Sequence, residues 1–89
     1  MCRNIRTLFN FQPPVTDDEI RAAALQFVRK VSGINKPSKT NEAAFVAAVD
    51  EISVVSSKFL GGLRTNAPPR DRVEEAVRAR ARAMERFPR

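Results

Sequence analysis

Thr16-Asp17-Asp18-Glu19-Ile20-Arg21-Ala22-Ala23-Ala24-Leu25-Gln26-Phe27-Val28-Arg29-Lys30-Val31-Ser32-Gly33 carries every signal a helix needs, and its reading decides the fold. Thr16 through Glu19 is a capping box: the hydroxyl takes the amide of the third helical residue, and Glu19 reaches back to the cap. Three acids in the first turn suit the positive end of the helix dipole. Ile20, Ala24, Phe27 and Val31 fall in one narrow arc at 100° per residue, with Val28 at its edge. Arg29 and Lys30 sit in the last turn, and Gly33 is placed to stop it. The predicted helix spans residues 16–32.

Working outward, the loop from Ile34 to Lys39 contains Pro37, and a second helix is predicted from Thr40 or Asn41 to about Leu60. Phe45, Val49, Ile52, Ser56, Phe59 and Leu63 share one of its faces, and Gly61-Gly62 provide a stop. A third helix is predicted over 69–87, because proline is tolerated in a first turn. Its inner stripe is Val73, Val77 and Met84, with Arg80 on the same side. Residues 1–15 form a lead segment in which Ile5, Leu8 and Phe9 share a side ahead of Pro13-Pro14, which suggests that it docks on the core. The expectation is an all-α fold: one domain over 1–89, with helices near 16–32, 41–60 and 69–87 packed through Phe27, Phe45, Val49, Ile52, Phe59 and Val77.

Composition bounds the function. The chain has 89 residues, 43% of them hydrophobic, with one Cys and no His, Trp or Tyr. That excludes a disulfide within one chain, a Cys/His zinc site and a Ser-His-Asp triad. The sequence points to no metal site and no cofactor. No run reaches the roughly 18 apolar residues of a transmembrane helix, so no membrane is expected, and a lone thiol fits a reducing cytoplasm. A core this small makes a homo-oligomer a reasonable expectation.

The formal net charge of +6 is unevenly placed. Residues 16–33 and 34–63 each balance three cations against three acids. The excess lies in residues 1–15, with two Arg and no acid, and in 64–89, with eight Arg and four acids. Arginine suits bidentate contact with phosphate or carboxylate.

The chain resembles a bacterial family catalogued only as domain of unknown function 2277. The residues that carry the likeness are Cys2-Arg3-Asn4-Ile5-Arg6-Thr7-Leu8-Phe9-Asn10-Phe11 with Pro13-Pro14, then Arg21 to Gln26 and Val28 to Gly33. Lys36-Pro37-Ser38, Ala67-Pro68-Pro69-Arg70 and the Arg/Ala-rich tail complete it. The resemblance implies a small helical bacterial protein and brings no reaction, ligand or catalytic residue.

Candidate sites therefore come from the residues. Removal of Met1 would leave Cys2 with thiol and amine adjacent, a nucleophile with its own base or a two-atom metal chelate, and Arg3 and Arg6 would favour the thiolate. The segment 29–39 gathers Lys30, Ser32, Lys36 and Ser38 around Gly33, an anion-binding candidate whose bland reading is a helix C-cap loop. Arg78, Arg82 and Arg86 form a ridge on the third helix that could follow phosphates, against which Glu74 and Glu85 offer self-neutralising pairs. Two functions follow: a non-enzymatic helical module contacting nucleic acid or an acidic protein through Arg3, Arg6 and the ridge, or a small thiol- or metal-dependent enzyme built on Cys2.

Overall fold

The computed structural model describes residues 5–86. Three helices dominate: α1 (Asp17–Ser32), α2 (Lys39–Gly62) and α3 (Arg72–Arg86). The fold is mainly helical, as the periodicities require. One small addition escaped the sequence reading, a parallel pair of two-residue strands, β1 (Phe11–Gln12) and β2 (Arg70–Asp71), in which Phe11 aligns with Arg70. Two residues are too few to show an alternating pattern. The chain gathers into two compact units, one of residues 5–9 and 15–64, the other of 10–14 and 65–86.

In the first unit, α1 and α2 form a helical hairpin. α1 starts where the capping box places it. The Glu19 amide donates to Thr16 Oγ1 at 3.2 Å, and the Thr16 amide donates back to Glu19 Oε1 at 3.0 Å. It ends at Gly33, whose left-handed φ of 72° is costly for a residue with a Cβ, and whose amide donates to the Arg29 carbonyl at 2.9 Å. The core is Ala24, Val28 and Val49, with Leu25, Phe45, Ala48 and Ile52 packed against it. An ion pair between Arg21 and Asp50 also ties the two helices.

α1 lies where its signals place it, but its buried stripe is rotated from the predicted one. Val28 is buried, while Phe27 remains 47% exposed and Val31 is exposed as well. The buried arc is centred on Ala24 and Val28 because the small Ala24 side chain lets α2 approach closely, which leaves Phe27 on the flank. Phe59 and Val77, expected in the core, are exposed, and Ile5 is too, with no helical turn over residues 5–9. Phe45 and Ile52 are half-buried and Val49 is buried, as their spacing implied.

α2 runs beyond both predicted ends. Its last turn continues through Gly61 and Gly62, since glycine lowers helix propensity by only about 1 kcal/mol and imposes no break. At its start Ser38 takes the N-cap position with no hydrogen bond from its side chain.

In the second unit, α3 begins at Arg72, three residues later than predicted from Pro69. Asp71 Oδ1 accepts the Glu74 amide at 2.9 Å, an N-cap contact that fixes the start. The Asp71-Arg72-Val73-Glu74 pattern carries that signal in the sequence, and the prediction from Pro69 passed over it.

The interior position of Ala24 and the flank position of Phe27 lead to opposite outcomes for leucine. Ala24→Leu is expected to overpack the hairpin and lower stability by roughly 1–3 kcal/mol. Phe27→Leu should change it by less than about 0.5 kcal/mol. Urea unfolding followed by circular dichroism at 222 nm measures both; equal losses would contradict the observed rotation of the stripe.

Candidate functional site

Hairpin and lead segment line an open cleft in the first unit, with a volume of about 340 Å³. Its walls are mostly apolar, from Leu8 and Phe9 of the lead segment, Ile20 of α1, and Phe59 and Leu60 of α2, with the polar atoms of Arg6, Thr7 and Ser56 among them. The lead segment reaches this position with help from Glu19. One carboxylate oxygen accepts the Thr16 amide and lies 3.3 Å from its hydroxyl, and the other lies 3.7 Å from the Arg6 guanidinium. Arg6, expected to meet an outside anion, thus faces a carboxylate of its own chain. Cys2 and Arg3 lie outside the described residues.

Segment 29–39 is tied up in ending one helix and starting the next. Ser32 Oγ donates to the Val28 carbonyl at 2.7 Å and accepts from the Ile34 amide at 3.1 Å, so its hydroxyl serves the cap. Arg29 Nε donates to the Asn35 carbonyl at 3.1 Å and closes the loop. Lys30, Lys36 and Ser38 are exposed.

In the second unit, the arginine ridge is partly matched by acids on its own helix. Arg78 lies 3.9 Å from Glu74 and 3.7 Å from Glu75. Arg80 and Arg82 are exposed, which removes the question of how Arg80 would fit an inner stripe. Arg86 closes the last turn of α3, and its side chain lies outside the described set. Among the described residues, no group of three or more His, Cys, Asp or Glu is placed to hold a metal ion, and no helix is long and apolar enough to cross a membrane.

Two sequence blocks far apart in the chain meet in this unit. Asn10, with a left-handed φ of 64°, donates from Nδ2 to the Pro68 carbonyl at 3.1 Å, and its own carbonyl accepts the Arg70 amide at 2.7 Å. The Arg70 guanidinium carbon stands 5.9 Å from the centre of the Phe11 ring. The opening block and the Ala67-Pro68-Pro69-Arg70 block, which carried the family likeness, are thus joined by direct bonds. A family model, described as an uncharacterized conserved protein, DUF2277, matches residues 1–80. The chain belongs to the DUF2277 family. The match takes in both blocks and most of α3. Neither the curated proteins nor the solved structures include a match to the chain.

Asn10 links the two blocks through its side-chain amide and its backbone carbonyl, so the two contributions separate by mutation in this DUF2277 protein. Asn10→Gly keeps the positive φ and loses the side-chain bond; Asn10→Ala also strains the backbone. Protection of the Arg70 amide in hydrogen–deuterium exchange is expected to fall in both variants, and further in Asn10→Ala. Unchanged protection would show that the strand pair stands without Asn10.

Proposed function

We propose that this protein is a non-enzymatic helical binding module that contacts an acidic protein surface through α3. The observation that carries this reading is the run from Ala76 to Met84, where Arg78, Arg80 and Arg82 are exposed with no acid among them. Val73, Val77 and Met84 of the same helix are exposed too. A helix that offers arginines and apolar anchors together matches a groove with acidic rims, since the apolar residues give affinity and the charges set register. Nucleic acid is less well served, because no aromatic residue stands on α3 between Arg72 and Arg86 to stack on bases. The single thiol of the chain fits work in a reducing cytoplasm.

Replacing Arg78, Arg82 and Arg86 together by Gln keeps helix propensity and removes the ridge. In an anisotropy titration at low salt, a labelled acidic amphipathic peptide is expected to bind wild type and to lose about tenfold in affinity with the triple variant, given three exposed ion pairs of a few tenths to about 1 kcal/mol each. Binding of duplex DNA instead, with affinity falling steeply in salt, would move the reading to nucleic acid. No binding to either probe, or equal binding by the variant, would discard it.

A further inference from the structure

We propose that a second copy of this chain packs along the flank of α2 beside its contact with α1, antiparallel to it and centred near Val55. Val49 of α2 is buried against α1, and this flank lies roughly a quarter-turn round the helix from it. Val55 is 66% exposed there and Phe59 64%, Phe59 standing also at the wall of the cleft. Ala48, Ile52, Val55 and Phe59 stand at i, i+4, i+7 and i+11, the spacing of a seam between two packed helices. Ala48 and Ile52 are half-buried against the core, so the seam runs from the covered edge of the hairpin onto open surface.

The charges beside the seam say what covers it. Glu51 and Lys58 lie seven residues apart on one edge, both exposed, and neither takes part in an ion pair among the described residues. When two identical helices run antiparallel about a two-fold axis, each residue on one side of the axis faces its counterpart on the other. An axis between Val54 and Val55 sets Glu51 of one chain opposite Lys58 of the other, and the reciprocal pair follows from the symmetry. A parallel pairing would set Glu51 beside Glu51 and Lys58 beside Lys58. The edge is therefore complementary to itself in one orientation and repulsive in the other, which favours a second copy over an unrelated partner.

Charge reversal tests this on the full chain. Wild type is expected to sediment as a dimer at high micromolar concentration. Glu51→Lys and Lys58→Glu, each alone, bring like charges together twice per dimer and should weaken self-association roughly tenfold to a hundredfold. Mixing the two variants in equal amounts restores both opposite-charge pairs, so a heterodimer should form at wild-type strength. Circular dichroism confirms that each variant keeps the wild-type helix signal, as expected for substitutions at exposed positions. A monomeric wild type overturns the proposal and leaves the face to a different protein. Single variants that self-associate like wild type, or a mixture that stays monomeric, overturn it equally.

Discussion

The close approach of α1 and α2 at Ala24, Val28 and Val49 is the constraint on which the first unit depends. Ile20, Ala24, Val28 and Val49 are the buried hydrophobic residues among those described, and none is larger than Ile. Small side chains let two helices come together but bury little apolar area per residue, and burial is what opposes chain entropy. The same contact sets the rotation of both helices. It places Arg21 against Asp50, turns Phe27 and Val31 to the flank, and sends Val54, Val55, Glu51 and Lys58 outward.

Several polar groups are engaged in holding local structure. Glu19 serves the N-cap and faces Arg6; Ser32 closes the end of α1; Arg29 holds the following loop. Asp71 starts α3 and Asn10 joins two distant blocks. Each group satisfies backbone donors or acceptors that helix ends and loops leave open. Arg80 and Arg82 of α3 and Val54 and Val55 of α2 are exposed.

Helix locations, the capping box at Thr16, the stop at Gly33 and the Glu74–Arg78 pairing were legible in the sequence because each arises within about four residues, where propensity, capping and dipole effects act. Membership of the DUF2277 family was legible too, from blocks spread along the chain. Tertiary structure decided the rest. The true buried face of α1 differs from the centre of its apolar arc, because burial depends on how closely a neighbour approaches as well as on where the apolar side chains lie. The Asn10–Pro68 bond joins residues 58 apart in the chain, and the strand pair joins residues at least as distant, a pairing set by long-range packing that no local pattern encodes.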